Sequence, residues 1–151
     1  MTGQFELPSS LRRVLVTDHL AQRGIDLLRA APGLAVDVRN ALDAAGLLEG
    51  CRTADALIVR SASRVTADLF AASPRLKVVG RAGVGVDNVD LEAATARGVV
   101  VMNTPGGNAI SAAEHTLSML LSLAKNIPQA SASMKAGKWE KGRFLSTELS
   151  G

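Results

Sequence analysis

Short apolar segments alternate with segments of helical periodicity along most of the chain. The apolar segments predict five β-strands: Val14–Thr17, Leu34–Val38, Ala56–Val59, Leu76–Gly80 and Val99–Met102. The segments between them predict helices: Leu20–Ala30, Ala41–Glu49, Thr66–Ala72 and Leu91–Arg97. Regular alternation of this kind is typical of βαβ units, and continuous apolar strands are typical of sheets covered on both faces. We therefore expect an α/β fold with a flavodoxin-like, doubly wound, parallel five-stranded sheet.

The pattern changes in the last third of the chain. Ser111-Ala112-Ala113-Glu114 has the form of a capping box, and Leu117, Leu120 and Leu121 continue as the apolar stripe of a long helix. Pro128 is expected to end this helix or to begin another. No strand pattern follows, so we interpret the helix as a link to a further domain. The predicted division is a leader over 1–11, a sheet domain over 12–107, and the linking helix with the start of the next domain over 108–151.

Composition and charge narrow the class of protein. Of 151 residues, 47% are hydrophobic and 21% charged, which excludes a disordered chain. The net charge is only +3 and aromatic residues make up 3%, so a nucleic-acid partner is not expected. The first ten residues do not resemble a signal peptide, and no apolar run approaches the ~20 residues that span a membrane. The single Cys51 excludes an internal disulfide. We expect a cytoplasmic protein with no membrane partner.

Arginine, serine and glycine residues follow the predicted strands at their carboxyl ends. Arg60 and Ser61 follow the third strand, and Arg81 precedes the turn Gly83-Val84-Gly85 after the fourth. Parallel strands end at one edge of a sheet, so these residues are expected to converge there. The guanidinium group of arginine can donate two parallel hydrogen bonds to a carboxylate or a phosphate. Glycine, which has no side chain, lets backbone amides approach an anion closely. This predicts a small, doubly anionic ligand, although each residue taken alone is equally typical of a solvated surface or a simple turn.

Other motifs do not support a self-sufficient catalytic site. The segment from Gly83 to Asn88 lacks the third glycine of a dinucleotide-binding fingerprint, because asparagine stands at that position. Cys51, His19 and His115 do not have metal-ligand spacing, so no metal is expected. Glu114 and His115 are adjacent on a predicted helix and therefore point in different directions.

At several segments the sequence resembles the D-2-hydroxyacid dehydrogenase family, and within it most closely the phosphoglycerate dehydrogenases. The segments are Ile58–Ala62, Val78–Asp90, Val101–Pro105, Ser111–Glu114, Gly137–Glu140 and Thr147–Leu149. The likeness runs from about Val14 to Gly151. It implies NAD-dependent oxidation of 3-phosphoglycerate to 3-phosphohydroxypyruvate, a step in the synthesis of L-serine, and it implies that the sheet domain binds the substrate.

The resemblance also implies roles for individual residues in substrate binding. Arg60, Ser61 and Arg81 would hold the phosphate or the carboxylate of the substrate. Backbone contacts with the substrate carboxylate are implied at Gly83, Val84 and Gly85.

Contacts with the cofactor and with a second subunit follow from the same resemblance. Asn108 would lie near both substrate and NAD, and Lys141 would reach the site of a neighbouring subunit. Val84 stands where the family often has a threonine that touches the cofactor, so only a backbone contact is expected there. The helix over 108–127 would lie in the interface of a homo-oligomer. Without a partner, its apolar stripe would be exposed.

The length of the chain is a second departure from the family, after Val84, and it leaves other functions open. In the family, the glycine-rich NAD turn of the Rossmann domain and the catalytic Arg, Glu and His come after the position of Gly151. We therefore expect this chain to bind the anionic substrate without catalysing the reaction alone. The alternatives are another D-2-hydroxyacid dehydrogenase, such as a hydroxypyruvate or glyoxylate reductase, or a non-catalytic flavodoxin-like module. Asp18 suggests a receiver domain, but Arg60 and Asn103 stand where a receiver has its phosphorylated Asp and its Lys.

Overall fold

A computed structural model describes residues 11–150 of the chain. The predicted leader lies outside the described residues except for Leu11, and so does Gly151. The chain divides into two compact units, the first ending at Gly107 and the second beginning at Asn108.

The first unit is a parallel sheet of five strands with four helices between them. The elements are β1 Arg12–Val16, α1 Gln22–Ala30, β2 Leu34–Val38, α2 Ala44–Cys51, β3 Ala56–Val59, α3 Ala67–Ala72, β4 Val78–Arg81, α4 Leu91–Ala96 and β5 Val100–Asn103. The strand order is β2-β1-β3-β4-β5. This order confirms the predicted flavodoxin-like sheet. Strands β1, β4 and β5 are displaced by one or two residues from their predicted bounds.

Side-chain caps begin three of the four helices. Asp43, Thr66 and Asp90 accept hydrogen bonds from the backbone N–H groups of Gly46, Leu69 and Ala93 at the first turns of α2, α3 and α4. Each cap satisfies a donor that has no partner within the helix. These caps place the helix starts three residues later than predicted for α2 and one residue later for α3.

The larger cluster of buried hydrophobic residues lies on one face of the sheet. Leu57, Val59 and Val79 are fully buried there, against Cys51 of α2 and Phe70 of α3. The chain passes in one direction from β2 to β5, and right-handed crossovers put α2, α3 and α4 on the same face.

The opposite face is only partly covered, so the expectation of a sheet covered on both faces is wrong for its β5 side. Helix α1 packs here, beside an apolar groove of about 660 Å³ that reaches Ile58 and Val78. Val100 and Met102 on β5 are 55% and 58% exposed. The single reversed crossover, from β1 to β2, supplies only one helix to this face.

A buried carboxylate joins three strands at the amino ends of the sheet. Asp55, 7% exposed, accepts a hydrogen bond from the backbone N–H of Arg13 at 2.9 Å. The Arg75 guanidinium contacts both of its oxygens at 3.1 Å, and Arg12 lies 3.8 Å away. Burial raises the pKa of Asp55, but these hydrogen bonds and positive charges outweigh that effect and lower the pKa below its usual value.

The second unit contains two helices and a short 3₁₀ turn. They are α5 Ala109–Ala124, α6 Ile127–Lys135 and a 3₁₀ helix over Lys141–Arg143. Pro128 lies in the first turn of α6, where a missing N–H is tolerated. Asn126 joins the helices in a left-handed conformation, and its Nδ2 donates to the carbonyl of Leu145 at 2.8 Å.

The predicted capping box is wrong. Asn108, not Ser111, stands at the start of α5, and its side chain makes no capping hydrogen bond. Ser111 and Glu114 both lie inside the helix. The helix begins two residues before the motif, at Ala109. Within residues 11–150, no helix has the length and apolar character needed to cross a bilayer.

Asp55→Asn should destabilise the protein by about 1–3 kcal/mol at pH 7, because the neutral amide cannot accept all the hydrogen bonds of the carboxylate. Since the pKa of Asp55 is lowered on folding, its stabilising effect is present above the unfolded value of 3.8 and disappears as the pH falls through the folded value. Urea unfolding of the parent and the variant at pH 7 and pH 3 measures this difference.

Asp37→Asn is the control, since Asp37 pairs with Arg39 at the surface, where both side chains are about half exposed. It should change the free energy of unfolding by no more than about 0.5 kcal/mol. A difference between parent and Asp55→Asn that persists unchanged at pH 3 would contradict the assignment.

Candidate anion-binding site

The carboxyl ends of β3, β4 and β5 lie side by side. In the sheet register, Arg81 is paired with Val59 on one side and with Asn103 on the other. Arg60 follows Val59 directly, so the turn after β3 and the turn after β4 are neighbours. The structure therefore brings Arg60, Ser61 and Arg81 to one edge of the sheet. Their binding of a ligand stays a prediction.

The turn after β3 is held by two buried side chains from other strand ends. Asp18, after β1, accepts hydrogen bonds from the backbone N–H groups of Arg60 at 2.7 Å and Ser63 at 3.2 Å. Asn88, after β4, donates from Nδ2 to the backbone carbonyls of the same two residues, each at 2.6 Å. The backbone donors and acceptors at both ends of the turn are thus satisfied by two side chains.

The middle of this turn and the Arg60 side chain face solvent. Ser61 and Ala62 are exposed, and their backbone N–H groups have no hydrogen-bond partner among residues 11–150. The Arg60 guanidinium donates to the backbone carbonyl of His19 at 3.1 Å and has no acidic partner in the same range. An exposed serine, two backbone N–H groups without a partner among residues 11–150 and an arginine without an acidic partner there form a surface suited to an anion.

Arg81 lies against Gly83 in the next turn. A β-carbon on Gly83 would lie 2.8 Å from Cζ of Arg81, so the guanidinium occupies the space that any other residue would fill. The Nε of Arg81 is buried and has no hydrogen-bond partner among the described residues. No carboxylate in that part of the chain pairs with Arg81. Glycine is therefore needed at position 83 for this close approach.

The glycine turn itself is held by β5. The Thr104 backbone N–H donates to the carbonyl of Gly83 at 2.9 Å, and Asn103 Nδ2 donates to the carbonyl of Val84 at 2.7 Å. Val84 and Gly85 are exposed at the surface of this turn. These two hydrogen bonds hold the turn through the carbonyl groups of Gly83 and Val84.

Asn108 and Lys141 belong to the second unit. Asn108 begins α5, and Lys141 begins the exposed 3₁₀ turn. Lys141 also lines a cavity of about 260 Å³ with Trp139 and Phe144. Their predicted roles near the substrate and in a neighbouring subunit stay predictions.

Sequence reasoning misses the side chains that shape the site. The sequence indicates Asp18 only as a receiver-type aspartate, and Asn88 only as a missing glycine. The structure shows that Asp18 is 7% exposed with both oxygens accepting hydrogen bonds, Oδ1 from Ser63 Oγ at 2.9 Å. An unusual residue in a glycine motif is the available signal for Asn88, but its partners cannot be identified without the fold.

The glycine turn after β4 does not have the form of a cradle for the pyrophosphate of NAD. Such a cradle is a glycine turn leading directly from a strand into a helix. Here nine residues separate β4 from α4, and Asn88 within them is buried and engaged in holding a neighbouring turn. Val84 is exposed, and its backbone contact with a cofactor stays a prediction.

Neither metal nor nucleophile chemistry is supported in the described range. Residues 11–150 contain no cluster of three or more potential metal ligands. Cys51 is fully buried, and burial raises the pKa of its thiol to about 12. A thiol of that kind stays protonated and unreactive at neutral pH.

Comparison with known proteins identifies the class to which this fold and site belong. The family model described as the catalytic domain of D-isomer specific 2-hydroxyacid dehydrogenases matches residues 14–149. The chain belongs to this family, which confirms the resemblance found in the sequence.

Among members of the family, the chain is similar to D-3-phosphoglycerate dehydrogenases. It is 52% identical over 143 residues to that of Sus scrofa and 45% identical over 139 residues to that of Archaeoglobus fulgidus. These alignments cover 95% and 92% of this chain but only 27% and 26% of the relatives. The chain thus spans about a quarter of the length of the relatives it matches.

Solved structures agree with the fold. A protein of Thermus thermophilus superposes with a TM-score of 0.81 at 37% identity, over 92% of this chain and 46% of that one. NAD-bound 3-phosphoglycerate dehydrogenase of Entamoeba histolytica gives a TM-score of 0.67 at 28% identity, over 75% of this chain and 39% of that one.

Gly83→Ala should displace the Arg81 guanidinium with little loss of stability, because the β-carbon meets the end of a flexible side chain rather than backbone. The Nε–H of Arg81 should then exchange faster with solvent, as followed by its NMR signal in ¹⁵N-labelled protein. Gly80→Ala is the matched control, since its β-carbon would make an ordinary 3.7 Å contact with Ile58. Equal exchange in both variants would show that Gly83 does not seat Arg81.

Proposed function

We propose that this chain forms the substrate-binding part of an NAD-dependent D-3-phosphoglycerate dehydrogenase, which oxidises 3-phosphoglycerate to 3-phosphohydroxypyruvate for L-serine synthesis. The observation that carries the proposal is the pair Arg60 and Arg81 at one sheet edge, neither paired with a carboxylate within residues 11–150. Unpaired guanidinium groups beside exposed amides suit a ligand with two anionic groups.

The described residues do not provide a general base oriented by a carboxylate, which supports a reaction in which this chain binds the substrate and other residues carry out the chemistry. Hydride transfer requires a cofactor held against the substrate and a base that takes the hydroxyl proton. In residues 11–150, neither His19 nor His115 makes a side-chain hydrogen bond to an orienting carboxylate. We propose that this chain alone binds the substrate without oxidising it, and that NAD is held chiefly by other parts of the polypeptide.

Other functions are less well supported by the geometry. A receiver domain needs an accessible aspartate for phosphorylation at the end of β3, where this chain has Arg60, and the aspartate after β1, Asp18, is buried with its oxygens accepting hydrogen bonds. Another D-2-hydroxyacid substrate would share the carboxylate but lack the phosphate. Affinity for 3-phosphoglycerate compared with D-glycerate therefore distinguishes the two dehydrogenase functions. We also propose that the protein is cytoplasmic.

Arg60→Ala and Arg81→Ala should each weaken binding of 3-phosphoglycerate by about 30-fold, because each removes a charge-assisted contact of about 2 kcal/mol. Isothermal titration calorimetry measures the change. Arg29→Ala is the control: it removes the same charge from the last turn of α1, at the opposite edge of the sheet. Unchanged affinity in both site variants would refute the proposed function, and equal affinity for D-glycerate would favour a different hydroxy acid.

We further propose that α5 mediates homo-oligomer formation. Within residues 109–124 no side chain is buried, and Leu117, Leu120 and Leu121 are 59%, 48% and 46% exposed. Monomeric proteins rarely expose contiguous apolar surface of this kind. Burial against the same helix of a second copy would remove it from water.

Leu120→Glu should shift the sedimentation of this chain toward the monomer, since a charge in an apolar interface is left without a partner. Leu27→Glu is the control, because Leu27 is also an exposed leucine but belongs to α1 in the first unit. Sedimentation velocity at several concentrations measures the shift. A parent chain that is monomeric at high concentration would contradict the proposed interface.

A further inference from the structure

The turn after β3 is unusual in how its backbone is satisfied. Its first and last residues, Arg60 and Ser63, each have an N–H that donates to Asp18 and a carbonyl that accepts from Asn88. Neither partner belongs to the turn: one follows β1 and the other follows β4. The shape of the turn is therefore set by side chains from outside it.

Asp18 and Asn88 differ in the hydrogen bonds that their side chains can make. A carboxylate can only accept and so takes both N–H groups, while the Nδ2 of an amide can only donate and so takes both carbonyls. With two carbonyls around Nδ2, the orientation of the Asn88 amide is fixed. Its Oδ1 is buried and has no hydrogen-bond partner among residues 11–150, a loss that weakens the folded state.

The backbone conformation of Asp18 also suits its side chain to holding the turn. Its φ of +61° lies in the left-handed region, which residues other than glycine, asparagine and aspartate adopt only at a cost in free energy. That backbone places the carboxylate so that Oδ2 contacts both N–H groups of the turn and Oδ1 contacts Ser63 Oγ. Thr17 Oγ1 lies 3.0 Å from the same hydroxyl and completes the buried network.

The residues that the network leaves exposed are those with chemistry suited to an anion. Arg60, Ser61 and Ala62 are exposed, and the backbone N–H groups of Ser61 and Ala62 have no hydrogen-bond partner among residues 11–150. Because both ends of the turn are fixed, these groups are held before a ligand arrives. Groups already in place bind more tightly, since less conformational entropy is lost on binding.

We propose that Asp18 and Asn88 are positioning residues for substrate: they hold the turn 60–63 in the shape that presents Arg60 and Ser61 to an anionic group of the ligand. This inference rests on the proposed function, since it assigns the turn to that binding site. It goes further in assigning substrate affinity to two buried residues that do not touch the substrate.

Two disruptive variants and one conservative variant test the proposal. Asn88→Asp has nearly the same shape but turns a carboxylate toward two carbonyl oxygens. Asp18→Gly removes the acceptor while keeping a residue that tolerates the left-handed backbone. Asp18→Asn tolerates the same backbone, and its amide oxygen can accept both N–H groups while its Nδ2 faces Ser63 Oγ.

NMR of the ¹⁵N-labelled chain provides two readouts. Without ligand, Asn88→Asp and Asp18→Gly should speed amide hydrogen exchange at Arg60 and Ser63. In titrations with 3-phosphoglycerate, both should weaken binding by about tenfold, while Asp18→Asn stays within about threefold of the parent. Asp55→Asn is the control, because it lowers stability at the amino ends of the strands, away from the turn, and should leave the affinity unchanged.

The outcomes separate this proposal from the one on which it rests. If the parent chain does not bind 3-phosphoglycerate, the proposed function fails and this assignment fails with it. If the parent binds and Asn88→Asp and Asp18→Gly bind equally well, only the positioning roles are refuted. If Asp55→Asn weakens binding as much as they do, the loss reflects general destabilisation and again refutes the positioning roles.

Discussion

The hydrogen bonds that Asp18 and Asn88 make to the turn after β3 are the constraint on which the candidate site depends. A parallel sheet brings its strand ends to one edge but does not determine the path of the chain beyond them. Here the segments after β1 and β4 each contribute one buried side chain, and the segment after β3 is held between them. Unpaired buried groups weaken folding, so the four satisfied backbone groups restrict this turn to few conformations.

The glycine turn after β4 positions its arginine in a different way from the turn after β3. Around residues 60–63, side chains hold backbone so that Arg60 is presented. At residue 83, the absence of a side chain lets Arg81 fold back against the backbone. Asn103 and Thr104 of the adjacent strand end then fix the turn through the carbonyls of Val84 and Gly83. Both arginines thus keep their charge without an acidic partner in the described range, and a free charge at a rigid edge is what an anionic ligand requires.

Much of the fold could be predicted because it depends on local patterns. Apolar runs separated by helical segments indicate parallel strands, and the strand order agrees with the flavodoxin-like expectation. Arg60, Ser61 and Arg81 could be singled out because they directly follow or end strands. Asp18 and Asn88 could not be assigned their partners, because these lie 42 and 28 residues away along the chain. The capping box failed for a related reason: Ser111 and Glu114 suit a helix start, but helix-forming residues precede them and propagate the helix past the motif.

The exposed apolar residues of β5 have their physical origin in the order of the strands. Three crossovers in one direction concentrate helices on the face of Leu57 and Val79, and among the helices within residues 11–107 only α1 packs on the other face, where Val100 and Met102 of β5 are exposed. Helix α5, the next element along the chain, is itself apolar and has no buried side chain. Monomeric proteins rarely expose contiguous apolar surface of this kind, so the exposed leucines of α5 are the observation that supports the proposed contact between copies of this chain.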